Sequence, residues 1–340
     1  MKLSNVYTIY PGNERLEQAV ERYLSLIPDV AETSLADSDL TVMDNFRHTR
    51  GNYEQHRFNA NVYAEATEAF EAALTDQLKE QDVVAWVALQ NDLGNVLAAI
   101  GQQQRDEDLY KRAIAAFNSA LGELSQGALP TEWATTLYNL GTASQALGRL
   151  ARDAKSLKIA VDAYTKALMV WTRDASPEQW MRTMQQLGLT LHEHGRYLKG
   201  NRTFQKSVVA FKNALAVLDA DNYALELTAT HNNRGSALLH LGESEENPER
   251  VKEAIKAYEK ALTVSMEQQL PFHLAVICRV NKATAQNVLA ALTADVALAE
   301  EVADEFDLIL ECFPHALQPL CAQHCSAELG KARLALGRSE

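Results

Sequence analysis

Pairs of glycines seven residues apart recur along this chain, at Gly94 and Gly101, Gly141 and Gly148, Gly188 and Gly195, and Gly235 and Gly242. Each pair lies in an apolar-patterned stretch such as YNLGTASQALG at 138–148. A glycine inside a helix costs about 0.5–1 kcal/mol relative to alanine, so placement this regular needs a cause. The first members are 47 residues apart; Ala283 follows after 48 and Gly330 after another 47. The second members continue in step to Ala290 and Gly337, and ten of the fifteen glycines fall in these two columns. A period of roughly 20–50 residues points to stacked repeats, because a single unit cannot bury its own apolar face.

A second pattern runs between the glycine pairs. Aromatics recur at Phe70, Phe117, Tyr164, Phe211, Tyr258 and Phe306. Small residues stand four before most of them (Ala66, Ala113, Ala160, Ser207, Ala254) and three after (Ala73, Ala120, Ala167, Ala214, Ala261). Those spacings place the side chains on one face of a helix. Each unit therefore reads as a glycine-bearing helix A followed by an aromatic-bearing helix B. Ser176 before Pro177 reads as an N-cap, and LPTEW and LPFHL read as other starts of A. The first glycine is expected to let B pack closely on A. The second is expected at the left-handed residue that ends A.

Composition supports helices: Ala and Leu dominate, and no stretch reaches the roughly 20 apolar residues of a membrane span. The start, MKLSNVYTIYPGNERL, has no apolar core of a secretory signal. Four cysteines, Cys278, Cys312, Cys321 and Cys325, read as reduced thiols, and a cytoplasmic location is expected. The formal net charge of −13 argues against nucleic acid or an anionic membrane as partner. The charge is uneven. The stretch 196–212 is basic (Arg196, Lys199, Arg202, Lys206, Lys212), whereas 295–311 is acidic and reads as a B helix with a charged outer side.

Asn-Leu-Gly, a second glycine seven later, then small–x3–aromatic–x2–Ala-Leu resembles the tetratricopeptide (TPR) repeat, with 47 residues per unit in place of 34. Lengthened units of this kind occur in bacterial proteins, and the likeness covers about 57–337. It implies an all-α, right-handed superhelical solenoid of antiparallel helix pairs. The domain reading is a divergent N-terminal cap over 1–56, a repeat array over 57–313 and a C-terminal capping helix over 314–340. ERLEQAVERYLSLI at 14–27 reads as an in-phase B helix, and 28–56 as a degenerate or irregular unit.

The resemblance also implies that A helices line the concave side. The residue two before the first glycine reads Asp92, Asn139, Gln186, Asn233 and Asn281. A carboxamide can donate to a backbone C=O and accept from a backbone N–H, so this ladder suits an extended peptide. The same residues can instead brace neighbouring helices. Asn95, Tyr138, Gln145, Gln185, His192 and Asn232 share that face, with basicity added by Arg182 and Arg279. In the row that should pack on B, Leu93, Leu140 and Leu187 give way to Arg234 and Lys282. Pairing with Glu226, Glu253 or Glu259 is the expectation for these two cations; a locally basic groove is the alternative.

Catalytic signals are weak. Cys312, His315, Cys321, His324 and Cys325 have zinc-ligand chemistry, but Cys325 and Cys278 share a repeat column with Leu89, Thr136, Thr183 and Thr230. A packing slot explains both cysteines. His192 and His194 are two apart on a helix and diverge, unlike a His-Glu-x-x-His zinc site. No Walker loop, dinucleotide fingerprint or Gly-x-Ser-x-Gly elbow is present. The expected role is thus a non-enzymatic scaffold, without cofactor or metal, that binds an extended peptide or a helix of another protein. The alternatives are self-assembly through the solenoid ends, including a homodimer through Leu329, Leu334 and Leu336, and a metal-dependent enzyme at the C-terminal Cys/His cluster.

Overall fold

The computed structural model describes residues 3–9, 60–198, 201–312 and 319–337. The expected helix at 14–27 and the unit at 28–56 lie outside the described residues, as does His315. The described residues are all-α, with thirteen helices and no strand. The helices are α1 (Ala60–Ala73), α2 (Asp76–Gln81), α3 (Val83–Gln104), α4 (Glu107–Glu123), α5 (Pro130–Leu150), α6 (Ala154–Ala167) and α7 (Pro177–Gly195). They continue with α8 (Arg202–Leu215), α9 (Ala220–Glu245), α10 (Pro248–Glu267), α11 (Phe272–Thr293), α12 (Val296–Cys312) and α13 (Pro319–Ala335). The chain divides into two compact units, one of residues 12–176 and one of residues 1–11 with 177–340. Within each unit, from α3 to α6 and from α7 to α13, every helix packs on its chain neighbours.

Apart from the short α2, helices bearing the glycine columns alternate with helices bearing the aromatic column. The two columns meet. A Cβ built on Gly94 would lie 2.5 Å from the Phe117 ring, and one on Gly141 would lie 2.7 Å from the Tyr164 ring. In the other unit, the Phe211 ring would lie 2.8 Å from a Cβ on Gly188, and the Tyr258 ring 2.7 Å from one on Gly235. Each ring thus rests on bare backbone and is at most 1% exposed. Burying such a ring contributes about 1.5–3 kcal/mol, which exceeds the 0.5–1 kcal/mol that a helical glycine costs. The small residues flanking the rings, Ala113, Ala120, Ala160, Ala167, Ala214, Ala254 and Ala261, are fully buried, as the spacing requires.

In the second glycine column only Gly337, just past α13, takes the expected left-handed conformation (φ 68°). Gly101, Gly148, Gly195 and Gly242 are helical, and none has positive φ. The left-handed residues come four positions later, at Arg105, Arg152 and Glu246, with Ala294 four after Ala290. The amide after each donates back to the glycine column: Asp106 to Gly101 at 3.0 Å, Asp153 to Gly148 at 2.9 Å, Asn247 to Gly242 at 2.8 Å. This is a Schellman closure. The same Asp or Asn then caps helix B, as Asp153 does by accepting from the amides of Lys155 and Ser156. The glycines serve a second close approach, to Leu109 and Tyr110, Leu157, Phe204 and Val251. Helices α3, α5 and α9 thus run two or three residues past the second glycine, and an Asx residue starts the helix that follows.

Other sequence expectations fall out unevenly. Lys282 pairs with Glu259 at 3.5 Å. Arg234 feels the charge of Glu253, yet its buried Nε has no hydrogen-bond partner. The acidic stretch does form a helix, α12, and its Glu305 and Asp307 pair with Arg279 and Arg333. Leu329 is buried beside Val276, Phe306 and Ile309, which corrects its assignment to an exposed end; Leu334 remains 70% exposed. By length and composition α3 could cross a membrane, contrary to the reading that no stretch comes close. Its Leu93, Val96, Leu97 and Ile100 nevertheless belong to a protein core.

The ring-on-glycine contact makes a paired expectation. Gly141→Ala forces the rigid Tyr164 ring to move and should destabilise by about 1–3 kcal/mol, the range for overpacking. Gly330→Ala, in the same sequence column but with open space around it, should stabilise by about 0.5–1 kcal/mol. Urea unfolding of both variants reads the contrast. A third variant, Asp153→Ala, should cost about 1 kcal/mol through loss of the cap.

Candidate functional site

The carboxamides on the A helices first of all tie those helices together. Asn91 Nδ2 donates to the Thr136 hydroxyl at 2.8 Å, and Asn139 Nδ2 donates to Asn91 Oδ1 at 3.1 Å, joining α3 to α5. Gln185 Nε2 donates to the Thr230 hydroxyl at 2.6 Å, joining α7 to α9. Asn281 Nδ2 donates to Asn232 Oδ1 at 2.8 Å, joining α9 to α11. All of these groups are buried, where an unpaired amide would cost about 1–3 kcal/mol. The threonine column read as a packing slot therefore also supplies acceptors.

On α9 and α11 the ladder does something more. Residues 3–9 have no helical or strand structure, and their main chain is held by side chains. Asn233 Oδ1 accepts from the Ile9 amide at 2.9 Å while its Nδ2 donates to the Ile9 carbonyl at 2.8 Å. Asn281 grips Tyr7 in the same two-handed way, at 3.0 and 2.8 Å, and Asn232 Nδ2 donates to the Tyr7 carbonyl at 2.8 Å. The segment's side chains also find places. Ile9 is buried with Ala229, Leu274 and Cys278, and Val6 packs against the core around Leu239 and Leu289. The Tyr7 ring meets His324 edge-on at 5.7 Å.

The beginning of the segment is held by charge and imidazole. The Glu243 carboxylate accepts from the Ser4 amide through both oxygens at 3.1 Å and from the Ser4 hydroxyl at 2.5 Å. Burial pushes the Glu243 carboxyl up, against the pull of the Ser4 donors. His240 Nε2 lies 2.8 Å from the Ser4 carbonyl, which can only accept, so Nε2 carries the proton. His240 Nδ1 is then an acceptor, and it receives a hydrogen bond from His192 Nε2 at 2.9 Å. The rings stack at 4.8 Å. Both histidines are neutral: desolvation drives His240 down to about 4 and His192 well below its ordinary value, with the neighbouring Arg196 adding to each effect.

Of the residues expected in a peptide groove, Asn232, Asn233 and Asn281 touch the segment directly and His192 acts on it through His240. Gln185 braces α9, Gln186 is half-buried, and Arg182 pairs with Glu178 at 2.9 Å. In the other unit, Asn95 and Asn139 line a small cleft with Thr142 and Tyr110. Gln145 accepts from the Tyr164 hydroxyl at 3.3 Å, Tyr138 packs against Tyr164 and Trp171, and Asp92 is buried. Sequence reasoning missed His240, Glu243 and the segment itself. One signal was present: VYTIY at 6–10 is a β-branched and aromatic run in an Ala/Leu-rich chain.

The C-terminal cysteines belong to the same neighbourhood. Cys278, Cys321 and Cys325 are buried and free, and Cys312 is exposed. Cys321 hydrogen-bonds with Tyr7 and Cys325, which lowers its thiol pKa and raises that of Cys325. His324 Nε2 lies 3.0 Å from the Thr284 hydroxyl. Among the described residues, no group of three or more His, Cys, Asp or Glu side chains is placed to hold a metal ion.

The histidine pair sets a pH dependence. A histidine whose folded pKa is depressed stabilises fully above its unfolded value of about 6.5 and loses that contribution as pH falls toward 4. The raised Glu243 works in the opposite direction and remains in a His240→Gln variant. Urea midpoints from pH 8 to 4 should therefore fall more steeply for the native chain than for His240→Gln. The two slopes should separate below about pH 6.5.

No known protein-family model matches this chain, and no curated protein matches its sequence.

Proposed function

We propose that this chain is a non-enzymatic scaffold that holds an extended peptide of another protein. In this reading the alternating helices are lengthened TPR-like repeats of a right-handed solenoid in the cytosol, and the glycine-bearing helices line its concave groove. No cofactor or metal takes part. The observation that carries the reading is the two-handed grip of Asn233 and Asn281 on alternate residues of an extended main chain. Such a grip recognises backbone, so it suits a peptide ligand and offers no acid, base or nucleophile aimed at a reacting atom.

Support also comes from repetition. Carboxamides stand at equivalent places in successive repeats of one unit, at Gln186, Asn233 and Asn281, so the same row can follow a chain over several residues. The test is a panel of unrelated, labelled, proline-free 12-residue peptides. It is titrated into the full chain carrying Tyr7→Ala and Ile9→Ala, which weakens the internal segment. Micromolar binding of some members is expected. Adding Asn233→Ala and Asn281→Ala removes four hydrogen bonds of about 0.5–1.5 kcal/mol each and should weaken that binding at least about 30-fold. Absence of binding by every peptide, in a chain of native helicity, would overturn the reading.

A further inference from the structure

Residues 3–9 lie against α9, α11 and α13 without joining any helix pair. Ile9 and Val6 add to the core beside Ala261 and Leu239, but the ring contacts that close the pairs, Phe211 on Gly188 and Tyr258 on Gly235, lie between helices. What holds the segment is a set of side chains on the A helices, and those side chains would hold any chain that offered the same groups. We infer that this face is a recognition site for a particular class of extended segment. Its pattern is a small hydroxyl residue, an aromatic residue three positions later, and a branched aliphatic residue two beyond that. Residues 4–9 are its internal occupant, and a partner protein's segment of the same pattern binds by displacing them. This inference rests on the peptide-holding reading above and adds to it the partner's chemistry and a built-in competitor.

Each part of the pattern follows from a contact. The Glu243 carboxylate is 2% exposed and takes both the amide and the hydroxyl of Ser4, so it selects a serine or threonine and rejects an acid there. The amides of Ser4, Tyr7 and Ile9 are all used, which excludes proline at those three places. The aromatic position faces His324 and the Cys321 thiol. The aliphatic position is enclosed by Ala229, Leu274 and Cys278. Asn5 is exposed, so the residue after the hydroxyl is unconstrained. An attached occupant rebinds intramolecularly and so lowers the apparent affinity for a free segment.

The test uses full chains and a labelled synthetic peptide of residues 1–12, read by fluorescence anisotropy. Two opened variants are compared with the native chain: Tyr7→Ala with Ile9→Ala, which removes the anchors, and Ser4→Asp, which sets a carboxylate against Glu243. Neither alters the helices that form the site. Both are expected to bind the peptide at least tenfold more tightly than the native chain. Adding Asn233→Ala and Asn281→Ala should abolish binding. In the native chain, saturating peptide should speed hydrogen exchange of the N-terminal fragment, a readout that needs no variant. Equal affinity of native and opened chains, with no change in exchange, would overturn the displacement. If the opened chains bind peptides of the unrelated panel but not this one, the pattern fails while the peptide-holding reading stands. If no peptide of any sequence binds, both fall.

Discussion

The contact on which this architecture depends is an aromatic ring laid on a bare stretch of helix. Phe117, Tyr164, Phe211 and Tyr258 each occupy the space where a Cβ would stand on the facing glycine. That brings the helices of a pair closer together than side chains normally permit. The gain from ring burial exceeds the helical cost of glycine, so the exchange is favourable at every repeat. Alanines before and after the ring keep the rest of helix B just as close. The C-terminal pair keeps the ring but has Ala283 in the glycine position; Phe306 is buried there all the same.

Close pairing leaves the polar rows on the A helices to join one A to the next. Asn91, Gln185 and Asn281 each donate across that gap. A carboxamide has more bonding capacity than one brace consumes, and on α9 and α11 the surplus is turned toward a main chain. Asn281 donates to both Asn232 and Tyr7 while accepting from Tyr7. Bracing of a neighbouring helix and a hold on the Tyr7 main chain therefore coexist in one side chain. His192 and His240 extend the same logic, since the one nitrogen that carries the proton in each ring is assigned by a chain of acceptors ending at the Ser4 carbonyl.

Much of the packing was legible in advance because repetition exposes a residue's structural place by its position. The pairing of the first glycine with the aromatic, the burial of the alanines and the amide ladder all come from residues that recur at one interval. Except at Gly337, the second glycine was misread because a glycine near a helix end suggests a left-handed stop. Arg105, Arg152, Glu246 and Ala294 take that conformation instead, and they share no residue type that could reveal it. The following Asp106, Asp153, Asn247 and Asp295 carried the better signal, an Asx column at the start of B.

From the sequence alone, the period, the helix pairs and the row of carboxamides on one face are determined, since each depends on spacing along a single helix or between identical units. What only the tertiary structure decided is what those carboxamides meet. Ser4 and Glu243 are 239 residues apart, Ile9 and Asn233 are 224 apart, and neither Ser4 nor Ile9 belongs to a repeat column. A contact made once, across most of the chain, leaves no period to read, and an amide is equally able to bond to a threonine, another amide or a backbone. Geometry makes that choice.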